Sequence, residues 1–248
     1  MYLCGAPLRQ MQVAGTEVVV DAKDFLPDLE AKLNGNGESR EQSRPTVRVK
    51  EVPERDRRRL LMHFLALNDS DRLLRFGSVL HDELITRYVQ HVDFSRDTVL
   101  GVYDDKLRLV GVGHLAFSPR ESRPYGSAVT LKERVAEFGL SVSEIARGMG
   151  VGTKLFERAA MHCRNADVDT LYMHCLASNQ TMMHIARKAG MQIQREHGEA
   201  DAYLKLPPAN PTTVLQEAMQ EQVASIDYTL KANAKAARKL LSNIPGFK

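Results

Sequence analysis

Apolar residues change their period several times along this chain, and each change marks an element. TVRVKEV (46–52) alternates, which predicts a strand. Pro53 stands where a helix can start. Leu60, Leu61, Phe64, Leu65 and Leu67 then recur at helical spacing over 54–67. LNDSDRLLRFG (67–77) reads as a loop, after which Val79, Leu80, Leu84, Tyr88 and Val92 repeat the helical pattern over 79–91. TVLGVYD (98–104) and LRLVGVGHLAF (107–117) predict two strands of a hairpin that turns at Asp104–Asp105–Lys106. AVTLKERVAEFGLSV (128–142) predicts a further strand. Helix 150–164, strand 169–176, helix 180–189 and strands 191–197 and 201–206 follow. Hairpins early and a βαβ crossover late predict an α/β fold of the α+β kind, with a mixed sheet and helices on both faces.

The two ends read differently. NGNGESREQSRP (34–45) is a polar linker. Before it, TEVVVDA (16–22) suits a short strand and FLPDLEAKL (25–33) a helical turn or two, too little apolar material for a separate domain. After Pro207–Pro208, Leu215, Met219, Val223, Ile226, Leu230, Ala234, Ala237 and Leu241 recur at steps of four and three. That spacing predicts one amphipathic helix of about thirty residues, roughly 45 Å long. The chain thus divides into an extension at 1–45, a domain at 46–207 and a C-terminal helix at 208–248. A stripe on so long a helix needs a cover. Packing on its own domain or on a twin subunit, which makes a homodimer, is the ordinary solution; docking another protein is the alternative. The basic end, Lys231, Lys235, Arg238 and Lys239, suits the negative end of the helix dipole.

Composition narrows the class. A hydrophobic fraction of 43% over 248 residues supports a real core. No run of eighteen apolar residues is present, so no transmembrane helix and no membrane partner are expected. The first residues lack the order of a secretory signal, and three scattered cysteines suit a reducing, cytoplasmic setting. Lys plus Arg is 34 against 31 for Asp plus Glu, which makes no case for nucleic acid. Arg55, Arg57, Arg58 and Arg59 alternate with acids and read as a solvated helix face. His162–Cys163 and His174–Cys175 lack zinc-ligand spacing, so no metal is expected.

Chemistry concentrates at LSVSEIARGMGVGTKLFERAA (140–160). A strand ends near Val142, Arg147-Gly148-Met149-Gly150-Val151-Gly152 follows, and a helix begins. Glycines let the backbone approach a ligand, and the helix adds unpaired N–H groups and a positive dipole end. The arrangement is an anion cradle, for which a diphosphate is the natural guest. Glycines at 148, 150 and 152 do not fit G-x-G-x-x-G, and no Gly-Lys-Ser/Thr closes a P-loop.

This pattern resembles the GNAT superfamily of acyl-CoA-dependent N-acyltransferases. Leu140, Val142, Arg147, Gly150 and Gly152 match its L-x-V-x5-R-x-x-G-x-G signature. Asn179, Ile185, Lys188, Gly190 and Met191 match the later N-x5-hydrophobic-x-x-K-x-G-[F/M] ending, and the element order agrees over about 46–206. The resemblance implies acetyl-CoA as cosubstrate and transfer of the acetyl group to a primary amine of a small molecule or a protein, by direct attack in a ternary complex. It implies that the amides of Gly148, Met149, Gly150, Val151, Gly152 and Thr153 hold the pyrophosphate, with Arg147 at the start of the loop. It also implies that backbone groups of Leu140 and Val142 pair with the pantetheine arm where two strands splay, and that Asn179 bonds the same arm. Helix capping by Ser178 or Asn179 is the plainer reading of those two residues.

A neutral amine must attack and a thiolate must leave. Many members place a glutamate on the strand before the glycine loop. Glu137 holds that place and is the expected base; Glu133 and Glu144 are lesser candidates. Where the family often carries a tyrosine that serves the leaving thiolate, this chain has Ala186. Tyr172, His174 and Cys175 on the neighbouring strand receive no role. A catalytically silent acyl-CoA-binding sensor or interaction module is therefore the alternative reading.

Overall fold

The computed structural model describes residues 46–117 and 134–242. The strand expected at 16–22, the helical turns at 25–33, the linker at 34–45 and the first part of the strand expected over 128–142 lie outside the described residues.

Among the described residues, seven strands form one mixed sheet. They are β1 (Lys50–Glu51), β2 (Thr98–Tyr103), β3 (Leu109–Phe117), β4 (Val135–Val142), β5 (Thr170–Leu176), β6 (Gln192–Glu196) and β7 (Glu199–Lys205), in the order β1-β2-β3-β4-β5-β7-β6. Every neighbouring pair is antiparallel except β4 and β5. That parallel pair requires a crossover, which α4 (Val151–Asn165) supplies. Between β1 and β2 lie α1 (Arg57–Leu65), α2 (Asp69–Phe76) and α3 (Asp82–His91); α5 (Gln180–Lys188) joins β5 to β6, and α6 (Pro211–Ser242) ends the described chain.

Two clusters bury the two faces. Phe138, Leu155, Phe156, Leu171, Met173 and Met183 fill the space under α4 and α5. Leu60, Phe64, Ile85, Val89, Val99 and Val112 fill the space under α1 and α3. β2 is buried along its whole length, as a strand covered on both faces must be.

The structure corrects several sequence expectations. Residues 67–77 are not a loop: they contain α2, capped by Asn68, whose side chain accepts the Asp71 N–H at 2.9 Å, and ended by Gly77 at φ 74°. Its polar start, Asn68 to Asp71, imitates a turn, and at eight residues it is too short for the apolar spacing of Leu73, Leu74 and Phe76 to repeat. β1 pairs over two residues only, against Leu100 and Gly101. The β2–β3 turn runs on to Leu107, which takes φ 60°, because Asp104 Oδ1 accepts from the N–H groups of Lys106 and Arg108 at 3.0 and 2.8 Å. Arg57 is not a free surface charge; it donates to the carbonyls of Val89 and Val92 at 2.6 and 3.0 Å and so closes the C-terminus of α3.

The long helix also departs from expectation. α6 docks on its own domain through its polar side. Glu217 accepts from His162 Nδ1 at 2.7 Å and Asn165 Nδ2 at 2.6 Å and pairs with buried Arg158. Glu221 pairs with Lys50 at 2.9 Å. The Tyr228 hydroxyl accepts from Arg59 at 2.7 Å, and its ring meets Tyr103 edge-on at 4.9 Å. Ala224 is the one buried residue of α6. The apolar stripe does not face the domain.

Candidate functional site

The site begins where two strands part. Val135, Ala136 and Glu137 of β4 pair in parallel with Thr170, Leu171 and Tyr172 of β5, and the pairing stops there. β4 continues to Val142 and β5 to Leu176 without each other. Beyond Glu137, β4 is paired, among the described residues, to β3 alone. Ser143 donates its N–H to Val110 O at 2.8 Å, which sets the alternation of that ladder. By that alternation Ser141 and Gly139 turn their backbone groups to β3, while Leu140 and Val142 turn theirs into the gap.

The glycine turn closes one end of the gap. Arg147 is extended, Gly148 and Gly150 sit at φ 74° and 78°, and α4 starts at Val151. A side chain at either glycine would meet no atom within 4 Å, so the turn is open and its two left-handed residues are set by backbone conformation. Gly152 differs: a Cβ there would lie 3.2 Å from Ile185 and 3.3 Å from Leu140. It is small so that α4, α5 and β4 can converge. Among the described residues, no backbone acceptor takes the N–H groups of Gly148 to Thr153; Lys154 is the first to be satisfied, by Gly150 O at 3.0 Å. Six such groups at a helix N-terminus, with no acidic residue in the first turn, suit an anion. Arg147 pairs with Asp71 of α2, which joins the turn to that helix.

Asn179 caps α5, its Oδ1 accepting from Met182 N–H at 3.1 Å. The cap is therefore present in the structure, and among the described residues no acceptor takes the Nδ2 amide. Ala186 is fully buried within α5, so no hydroxyl stands at the place the resemblance would give a tyrosine. Glu144 lies exposed in a short 3-10 turn that begins two residues past the end of β4; Glu133 and the Arg- and Pro-rich loop from 118 lie outside the described residues.

Glu137 shares its sheet face with Tyr172 at the apex. The Tyr172 ring stacks on Tyr203 at 5.2 Å, and its hydroxyl donates to Asp201 Oδ1 at 2.7 Å. Burial, that bond, and the charges of Asp201 and Glu137 raise the Tyr172 pKa far above the ordinary phenol value. His174, two residues further along β5, donates from Nδ1 to the same Asp201 oxygen at 2.8 Å. An exposed imidazole oriented by a carboxylate can accept a proton at its other nitrogen. Sequence reasoning named Tyr172 and His174 without a role and missed Asp201, whose partnership depends on β5–β7 register. It also missed His63. Burial pushes that imidazole down to about 4, against the pull of its bond to Leu109. The neutral ring donates from Nδ1 to Leu109 O at 2.9 Å and accepts the Ser141 hydroxyl at Nε2, 2.7 Å away, fixing α1 to β4 beside the gap.

Residues 68–191 match the acetyltransferase (GNAT) family, and the chain belongs to that family. Acetyl-CoA as cosubstrate fits the family. The fold recurs in solved structures. The GNAT domain of S. lividans PAT superposes with a TM-score of 0.52 at 21% identity, covering 64% of this chain and 90% of that one. An N-acetyltransferase from Staphylococcus aureus Mu50 gives 0.49 at 14% identity, with 65% and 99% covered. A phosphinothricin acetyltransferase from Sinorhizobium meliloti, solved in complex with AcCoA, gives 0.48 at 13% identity, with 67% and 95% covered. Among the described residues, no helix is long and apolar enough to cross a membrane.

Proposed function

We propose that this protein transfers the acetyl group of acetyl-CoA to a primary amine of a small molecule or a protein, by direct attack within a ternary complex. The observation that carries the reading is the splay of β4 from β5 directly beside the N–H groups of the glycine turn, for which no backbone acceptor is found among the described residues. Gly148 to Thr153 would hold the pyrophosphate, with Arg147 at the entrance to the turn. Leu140 and Val142 would pair with the pantetheine arm through backbone groups, and Asn179 through its free amide. These groups orient the thioester rather than react with it.

Glu137 is the proposed base. It stands at the apex, on the face away from α4 and α5, so an amine arriving from that face meets the carboxylate and the gap together. Glu137 takes the ammonium proton directly or through a water, the nitrogen bonds to the acetyl carbon, and the carbon–sulfur bond breaks. With alanine at position 186, the thiolate takes its proton from solvent. His174, held by Asp201, supports a second reading in which the base is the imidazole.

The experiment is mass spectrometry of amines incubated with enzyme and acetyl-CoA. One added acetyl group on a primary amine, absent without enzyme, is expected. Binding of acetyl-CoA with no acetylated amine would favour the silent binding module.

A further inference from the structure

α6 is turned inside out. At about 100° per residue, Leu215, Met219, Val223, Ile226 and Leu230 fall on one side, opposite the side of Glu217, Glu221, Ala224 and Tyr228 that docks on the domain. The five apolar side chains are exposed by between 45% for Val223 and 64% for Leu230. The charges show the same division. Glu217, Glu221, Asp227 and Lys231 engage the domain or one another, and Lys235, Arg238 and Lys239 fall on the same half of the helix. The outward half of Pro211–Ser242 carries no charge: the stripe is flanked by Gln216, Gln222, Thr229 and Asn233 and runs on through Ala234, Ala237, Leu240 and Leu241. A solvated helix presents its charges to water; this one presents them to its own domain.

We infer that this face is covered by a second copy of the same helix, running antiparallel, in a two-fold homodimer. Three observations select that occupant. Four of the five stripe residues are symmetric about the point between Gln222 and Val223: an antiparallel copy sets Leu215 on Leu230 and Met219 on Ile226, with Val223 meeting Gln222, which gives the two-fold correspondence an isologous contact requires. The uncharged face meets its own copy without like-charge repulsion, whereas an acidic or basic partner would find no counter-charge there. The stripe exposes on the order of 500 Å² of apolar surface, near the upper limit for a monomer's largest patch. With its polar flanks it approaches the ~800 Å² that a standard interface takes from each partner.

The full-length protein in sedimentation or light scattering tests this. The dimer predicts twice the chain mass at micromolar concentration. The residues to change are exposed, so Ile226→Glu and Met219→Glu should leave the far-UV spectrum unaltered and shift the species to monomer. Cysteines placed by Met219→Cys with Ile226→Cys, under mild oxidation, should give a covalent dimer whose peptides link position 219 to position 226 of the other chain. Within one helix these positions are about 10 Å apart along the axis and cannot bridge. A wild-type monomer, a dimer that survives both glutamates, or links of 219 to 219 would overturn the proposal.

Discussion

Glu137 and Tyr172 are the last residues of β4 and β5 that face each other before the two strands separate. Their side chains therefore stand at the closed end of the gap, where a thioester lying along it would present its carbonyl. This placement sets the roles that substitutions should reveal.

Glu137→Gln should lower turnover by about 10²–10⁴-fold. Acetyl-CoA affinity should change little, because the cradle lies at the other end of the gap. Titration calorimetry with acetyl-CoA and a turnover assay on the same preparation separate the two effects. Equal loss in both would mark a structural carboxylate. Unchanged turnover, combined with a loss in His174→Gln, would move the base to His174.

The glycines should fail in two different ways. Gly150→Glu places a charged side chain at φ 78° in an open cradle. It should abolish the rise in melting temperature that acetyl-CoA gives the parent, while the unliganded protein stays folded. Gly152→Leu has no room between Ile185 and Leu140. It should lower the melting temperature with or without ligand, because the helix and strand must move apart.

Restoring a tyrosine at position 186 should not improve the enzyme. Ala186 is fully buried, and the ring would overpack the core under α5, at a cost of about 1–3 kcal/mol. Thermal melting of Ala186→Tyr against the parent checks this; a gain in turnover at unchanged stability would contradict it.

Much of this arrangement was legible in the sequence because it is local. The glycine spacing, the cap at Asn179 and the alternation of β5 are all properties of a few adjacent residues. α2 was missed because it opens on turn-like polar residues and spans only eight residues, too few for its apolar spacing to repeat. The partners Tyr172–Asp201, His174–Asp201 and His63–Ser141 are 29, 27 and 78 residues apart and exist only through strand register and helix docking. The amphipathic pattern of α6 was plain, but which side would meet the domain was not. Arg158, Lys50 and Arg59 decide that, and each lies in a distant element.

Acid should weaken the fold in two stages. Burial and the nearby Arg75 charge hold His63 at about 4, against 6.5 when free, with only its Leu109 bond opposing them. The unfolded chain therefore takes up a proton that the native chain refuses, and stability falls as pH drops from about 6.5 towards 4. Glu217 behaves as a depressed carboxylate. Burial raises it, but the bonds from His162 and Asn165 and the charge of Arg158 hold it at about 2, against 4.5. Its contribution is present above 4.5 and is lost as pH falls towards 2. Glu217→Gln should flatten the lower stage only, as read by denaturant midpoints across pH.

Acetyl transfer from acetyl-CoA to an amine frees the CoA thiol, so thiol release follows the reaction itself. Wild-type protein and Gly150→Glu are incubated with acetyl-CoA and a panel of primary amines that includes small metabolites and lysine- or amino-terminal peptides, and free CoA thiol is followed against an amine-free blank. Amine-dependent release by the wild type, with none by the variant, is the predicted result. A wild type that binds acetyl-CoA yet releases thiol no faster with any amine than without one would contradict it.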